Sequence, residues 1–343
     1  MRFHCARIYR YSLPLVTPVN WGGVEHTTRE GALLYLEDEE GLGAWGEAAP
    51  LPGFSRETLD TAIADLLCIV SAGDEPVEYD SLSPSAIFAH ASARLQQKIS
   101  YTDVISIPQN ALLSGTSDAI LNRTEEATAQ GFDVFKLKVG TRNLNDEIAL
   151  VSEVRDVIGS KAQLRLDANR AWDLRQAREA CTALSDFNVA YIEEPVQNTK
   201  DLIALFDATD MPYALDETVQ EAGWNPGLAT ALQDVFTNAS HFIWKPSFVS
   251  TASMSKLVNT FPDSPVVLSA AFESGVGLAA VARCAGLFDN SLAAGLDTYS
   301  WLAEDVLEER LDMSSPTLDL NTLMPASQRV DINKLTLVHE VTP

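Results

Sequence analysis

Val134-Phe135-Lys136-Leu137-Lys138-Val139-Gly140 is the stretch that decides how this 343-residue chain folds. β-Branched and aromatic residues make it a strand, Gly140 closes it, and the two-residue period of a strand puts Lys136 and Lys138 on one face. Two ammonium groups on one side of a strand are ordinary on a solvated edge. The segments downstream change that reading. Leu164-Arg165-Leu166-Asp167-Ala168-Asn169, Tyr191-Ile192-Glu193-Glu194-Pro195, Tyr213-Ala214-Leu215-Asp216-Glu217 and Phe242-Ile243-Trp244-Lys245-Pro246 are each a short apolar run ending in charge. From Lys138 through Asp167, Glu193 and Asp216 to Lys245 the intervals are 29, 26, 23 and 29 residues. Each interval holds one strand, two loops and a crossover helix. The pattern predicts a parallel array with polar residues at the carboxyl ends of its strands, where (β/α) barrels keep their chemistry.

Three carboxylates flanked by lysines suit a hard divalent cation, with bases on both faces of whatever the cation binds. Only alternate residues of a strand end reach a barrel mouth, so one of Glu193 and Glu194 serves, and one of Asp216 and Glu217. Position alone leaves both choices open. A cation on a substrate carboxylate would ease removal of the α-proton. Lys138 is the candidate base, because the like charge of Lys136 on the same face and partial burial both disfavour its protonated form. Lys245, four strands on, would face the bound acid from the other side.

Composition narrows the partners. The chain has 24 basic and 48 acidic residues, a formal charge of −24 that argues against nucleic acid or an anionic membrane. A hydrophobic content of 46% is enough for a sizeable core. The length allows one barrel of roughly 200 to 250 residues and a smaller domain. No apolar run follows the first residues and no window is long enough for a membrane span, so a cytoplasmic enzyme is expected. Cys5, Cys68, Cys181 and Cys284 are scattered, which fits free buried thiols rather than disulfides or a zinc site. The partner expected is a small-molecule carboxylate. Oligomeric state stays open, a monomer being compatible with everything above.

Taken in order, residues 3–12, 31–37 and 43–49 read as strands, with a Gly-containing segment at 19–31 that is either a lid or a hairpin connection. Ser55 is a weak cap for a helix carrying Leu59, Ile63 and Leu66. These make an α+β cap over residues 1–103. A barrel follows over 104–302, with a first strand at 107–113, helices at 124–131, 144–158 and, capped by Asp173, 174–184, a seventh strand at 265–270 and a short eighth at 293–297. Glu273-Ser274-Gly275-Val276-Gly277 opens a helix at a Gly-rich turn that suits either an anion or close packing. Residues 303–343 end in a strand at 329–337 that returns to the cap.

The set Lys136-x-Lys138, Asp167-x-Asn169, Glu193-Glu194-Pro195, Asp216-Glu217 and Lys245-Pro246 resembles the enolase superfamily over nearly the whole chain. That resemblance implies an α/β fold, a modified TIM barrel (β/α)7β with an α+β capping domain, and a required Mg²⁺. It implies Asp167, Glu193 and Asp216 as metal ligands, Lys138 as base, Lys136 as its neighbour and Lys245 as the opposed catalytic group. None of the five histidines stands at the end of the seventh strand, unlike mandelate-racemase-like members. The lysine arrangement is similar to the subgroup of muconate-lactonising enzymes, dipeptide epimerases and o-succinylbenzoate synthases. Residues 45–58 and 164–172, with Asn110-Ala111-Leu112-Leu113, are similar to the last of these. The resemblance therefore implies a lyase of menaquinone biosynthesis. It would dehydrate 2-succinyl-6-hydroxy-2,4-cyclohexadiene-1-carboxylate by syn elimination, with substrate contacts from Gly53, Phe54, Arg165, Asn169, Ser269, Glu273 and Ser274. In Ser269-Ala270-Ala271-Phe272-Glu273-Ser274 alanines replace an expected serine-rich run. The alternatives are a dipeptide epimerase or N-acylamino-acid racemase, and a silent binding barrel.

Overall fold

Residues 3–73, 78–96, 106–288 and 292–342 are described by the structure, a computed structural model. The boundary expected between residues 103 and 104 lies outside them. Strands β1 (Phe3–Trp21) and β2 (Val24–Asp38) form one long antiparallel hairpin. The segment 19–31 is therefore mostly strand around a two-residue hairpin turn. Trp21 pairs with Val24 across Gly22-Gly23, whose φ values of +59° and +82° are those a two-residue hairpin turn requires. Strand β3 (Gly43–Ala48) pairs with β2, and helices α1 (Leu59–Ala72) and α2 (Pro84–Gln96) cover the sheet. Ile8, Leu34, Leu36, Ile63, Leu66 and Ala89 are buried between them. Thr58, not Ser55, caps α1 by accepting from Thr61 N; the Ser55 hydroxyl accepts from Leu51 N instead.

The first barrel strand is split. β4 (Ser106–Pro108) ends at a proline that cannot donate, and β5 (Ala111–Leu113) begins the parallel sheet. Helix α3 (Ser117–Ala129) starts earlier than expected because Thr116 caps it through Ala119 N. Then follow β6 (Val134–Lys138), α4 (Leu144–Ile158), β7 (Gln163–Asp167), α5 (Leu174–Leu184), β8 (Val189–Glu193), α6 (Leu202–Thr209) and β9 (Tyr213–Leu215). After these come α7 (Glu217–Trp224), α8 (Pro226–Ala231), α9 (Gln233–Asn238), β10 (His241–Trp244), α10 (Thr251–Thr260), β11 (Val266–Leu268) and α11 (Gly275–Arg283). Asp173 caps α5 in a reciprocal capping box with Gln176.

Strands β5 to β11 lie side by side in chain order as a seven-stranded parallel sheet. A short eighth segment closes it. Asn110 N donates to Ala294 O at 2.9 Å, and Ala270 N to Gly295 O at 2.9 Å. The chain then adds β12 (Thr317–Asp319), paired with β4, α12 (Leu320–Ala326), and β13 (Thr336–Val341), which pairs with β1 on the outer edge of the cap sheet. The last strand thus begins at Thr336, residues 329–335 forming a connection. Among the described residues no helix is long and apolar enough to cross a membrane.

Alternation along the barrel strands separates core from site. Phe135, Leu137, Leu164, Leu166 and Ile192 are fully buried in the main core, each contributing about 1.5–3 kcal/mol by its burial. Lys136, Lys138, Arg165 and Asp167 occupy the alternate positions. Parallel register sets Lys138 opposite Asp167 and Asp167 opposite Glu193, so three charged side chains leave their strands at one level.

Within the cap, the β1–β2 turn touches the loop after β3. A Cβ on Gly22 would stand 2.8 Å from Gly53 Cα, and one on Gly53, at φ +79°, would overlap the Gly22 backbone. Gly53→Ala should therefore lower unfolding free energy by about 1–3 kcal/mol in a urea titration. An unchanged midpoint would show that the two backbones are not held together.

Candidate active site

The strand ends of the barrel and the cap loops enclose a cleft of about 500 Å³. Lys136, Lys138, Asp167, Asn169, Asp216 and Lys245 form its polar floor. Trp21, Leu51, Phe54, Phe272 and Trp301 supply an apolar wall. Lys138 comes from β6 and Lys245 from the end of β10, with three strands between them.

The floor is a lattice of alternating charge. Lys136 Nζ donates to both oxygens of Glu193, at 2.7 and 2.8 Å, and lies 2.8 Å from Asp167 Oδ2. Lys138 Nζ donates to Asp167 Oδ2 and to Asn169 Oδ1, each at 2.6 Å. Lys245 Nζ donates to Asp216 Oδ2, and Gln220 Nε2 donates to Asp216 Oδ1 at 2.7 Å. The three carboxylates are each 1% exposed. Burial disfavours the Lys136 ammonium, but Asp167 and Glu193 outweigh it and hold the proton on well above the ordinary lysine range. Burial likewise opposes ionisation of Asp167, and Lys136 and Lys138 overcome it, so its carboxyl stays below the usual range. Asp216 is lowered against its burial by Lys245 and Lys136. Glu193, on the strand between them, is pushed well up by burial and by the charge of Asp167.

Among the described residues no three acidic, histidine or cysteine side chains stand as a ready metal-ligand set. Asp167 and Glu193 nevertheless already share one cationic group, the Lys136 ammonium. Hard carboxylate oxygens from three adjacent strands are the donor chemistry that a divalent cation such as Mg²⁺ takes. Asp167, Glu193 and Asp216 could hold it.

The second acid of each pair is used elsewhere. Glu194, at φ +41°, accepts from Asp216 N, Thr218 N, Thr218 Oγ1 and Arg170 Nε. Glu217 accepts from Asn169 Nδ2 at 3.1 Å. Burial and then the charges of Asp216 and Glu194 push the Glu217 carboxyl up to about 7.

The expected substrate contacts divide. Phe54, Asn169 and Ser269 line the cleft. Gly53 does not, serving the backbone approach to Gly22. Arg165, Glu273 and Ser274 are likewise not among the residues lining the cleft. Arg165 lies one strand position pair below Asp167, donates to Ala293 O at 2.7 Å and stacks on Tyr191. Glu273 accepts from Ser247 Oγ and Ala271 N. Ser274 caps α11 and donates to Glu47. The Gly-rich helix start does receive an anion, but one the chain supplies: Glu47 accepts from Ser274 N and Gly277 N, and Asp305 accepts from Gly275 N. Sequence reasoning missed Asn110, Leu112, Thr298 and Trp301 as cleft residues. Asn110 and Leu112 carried a signal, the alternation of a strand at the barrel mouth.

Two family models match the chain: MenC, N-terminal domain, over residues 3–97, and Enolase C-terminal domain-like, over residues 119–224. An o-succinylbenzoate synthase of Aliivibrio fischeri is 28% identical over 341 residues, covering 96% of this chain and 98% of the relative. The solved o-succinylbenzoate synthase of Thermosynechococcus elongatus BP-1, complexed with Mg in its active site, superposes with a TM-score of 0.70. It is 27% identical, with 86% of this chain and 92% of that one covered. N-succinyl Arg/Lys racemase of Bacillus cereus superposes at 0.80 with 19% identity and 99% of both chains covered, a likeness of fold.

Glu194 ties Arg170 to the loops beyond β8 and β9, and its side chain is 1% exposed. Glu194→Gln should leave that guanidinium only Glu221 as an acidic partner and cost about 3 kcal/mol in chemical denaturation. A loss of a few tenths would mean that the network is not what holds these loops.

Proposed function

This chain belongs to the enolase superfamily, and on that premise we propose that it is a hydro-lyase with o-succinylbenzoate synthase activity. It would act in the cytoplasm, in menaquinone biosynthesis, on 2-succinyl-6-hydroxy-2,4-cyclohexadiene-1-carboxylate with Mg²⁺. The observation that carries the reading is the pair Lys138 and Lys245, on strands separated by three others, in a cleft with an aromatic wall and a floor lined by Asp167 and Asp216, with Glu193 held behind it by Lys136. The likeness to o-succinylbenzoate synthases along almost the whole chain supports it at the level of sequence.

Trp21, Phe54, Phe272 and Trp301 offer a ring-sized apolar surface to the cyclohexadiene. A divalent cation on Asp167, Glu193 and Asp216 would supply positive charge against the carboxylate oxygens as the α-proton leaves. Lys138, as the free amine, takes that proton at Nζ and returns it to the departing hydroxyl on the same face, so one base serves both halves of a syn elimination. Asn169 Oδ1 holds Lys138 Nζ at the cleft floor. Lys136 stays protonated between Asp167 and Glu193. Lys245 stays an ammonium, its charge maintained against burial by Asp216 and Glu217, and faces the negative charge that develops on the acid. Ser269, Asn169 and Phe54 are the assigned substrate contacts.

The purified protein with Mg²⁺ should convert the cyclohexadiene acid to an aromatic product, followed by ultraviolet absorbance. Chelation should stop turnover and added Mg²⁺ restore it. Lys138→Ala should fall by at least about 10²–10⁴-fold and Lys245→Ala by about 10²–10³-fold. In calorimetry Glu193→Gln should lose Mg²⁺ binding and Glu194→Gln keep it; the reverse result overturns the choice of ligand. Rapid α-proton exchange of dipeptides or N-acylamino acids in deuterated water, with no dehydration, would move the assignment to the isomerases.

A further inference from the structure

Arg29, on β2 of the cap, is 1% exposed, and among the described residues no carboxylate pairs with it. Every hydrogen bond it makes goes to a main-chain carbonyl. Nε donates to Phe272 O at 3.0 Å, Nη1 to Glu30 O at 2.9 Å and to Pro50 O at 2.8 Å, and Nη2 to Ala49 O. The guanidinium also lies over the Trp21 ring, 5.9 Å from its centroid. A buried charge without a counter-charge is costly, so a site that keeps one has a use for the geometry of its donors. Here the fork reaches three places at once: the cap hairpin, the loop after β3, and the loop after β11.

The third of these is the informative one. Phe272 sits at φ +62°, a backbone region that a bulky side chain seldom adopts. Its peptide is held at both ends: its N–H donates to Thr298 Oγ1 at 3.2 Å, and its carbonyl accepts from Arg29. In that conformation its ring meets Trp21 edge-on at 5.0 Å and Trp301 at 6.2 Å, and these three aromatics line the cleft. A left-handed residue at a cleft persists only when its surroundings over-determine it.

We propose that Arg29 is a positioning residue that fixes the barrel's Phe272 loop from the cap, and so sets the aromatic wall against which substrate binds. It touches neither the reacting atoms nor the carboxylates of the floor. The inference rests on the hydro-lyase reading above, and wild-type turnover checks that reading separately.

The experiment compares wild type with Arg29→Lys and Arg29→Ala, reading melting temperature, Mg²⁺ affinity, kcat and KM. Both variants should melt cooperatively and bind Mg²⁺ as wild type does. KM should rise about tenfold or more while kcat falls less, since a displaced wall weakens substrate binding before it disturbs the lysines. Lysine carries a single ammonium and should not restore the three-way contact. Guanidinium ion at millimolar concentration should lower the KM of Arg29→Ala and leave wild type unchanged. Wild-type KM in folded variants, activity loss that merely follows the unfolded fraction, or failure of both variants to fold would each overturn the proposal and leave Arg29 a stabilising residue. If wild type shows no dehydration at all, the hydro-lyase reading fails; unaltered melting and side-chain packing around Phe272 in the variants would then overturn the positioning role independently.

Discussion

Parallel pairing in register brings Lys138, Asp167 and Glu193 to one level on three adjacent strands, and the rest of the site follows from that alignment. The floor can carry three carboxylates out of water because Lys136, Lys138 and Lys245 lie among them. Each ion is a counter-charge for its neighbours, so the arrangement acts as a unit in which removing one member leaves another buried and unbalanced. The hydrophobic residues at alternate positions hold the strands at the spacing this balance needs.

Much of this was legible in one dimension. The strand order and the inward face follow from Lys136 and Lys138 and from charges recurring once per βα unit. The bounds of α4 and the Asp173 cap of α5 follow from local periodicity and capping chemistry. Contacts made across the molecule were not legible. Arg165, Glu273 and Ser274 look like binding residues by type and place, yet Arg165 donates to Ala293 O, Glu273 accepts from Ser247, and Ser274 donates to Glu47. The split at Pro108 and the left-handed Phe272 are likewise set by tertiary partners. Local pattern shows which face a residue takes; it does not show what waits there.

The cleft wall is a composite for the same reason. Trp21 and Phe54 come from segments of the cap, while Phe272 and Trp301 follow the last strands of the barrel. The aromatic wall thus belongs to a seam, whereas the charged floor belongs to the barrel alone. Floor chemistry can stay constant while the seam varies, which is how one scaffold comes to serve different acids.

Glu47, a residue of the cap sheet, satisfies the amino end of α11 by accepting from Ser274 N and Gly277 N, and Tyr11 OH donates to it at 2.6 Å. An acid from one sheet thereby offsets the dipole of a helix in the other. The two halves are consequently not interchangeable parts. A transplanted cap would have to bring a carboxylate to the place of Glu47, or the recipient barrel would begin its last long helix with bare N–H groups in an apolar seam. Glu47 thereby couples the choice of residue in the cap sheet to the way α11 begins in the barrel.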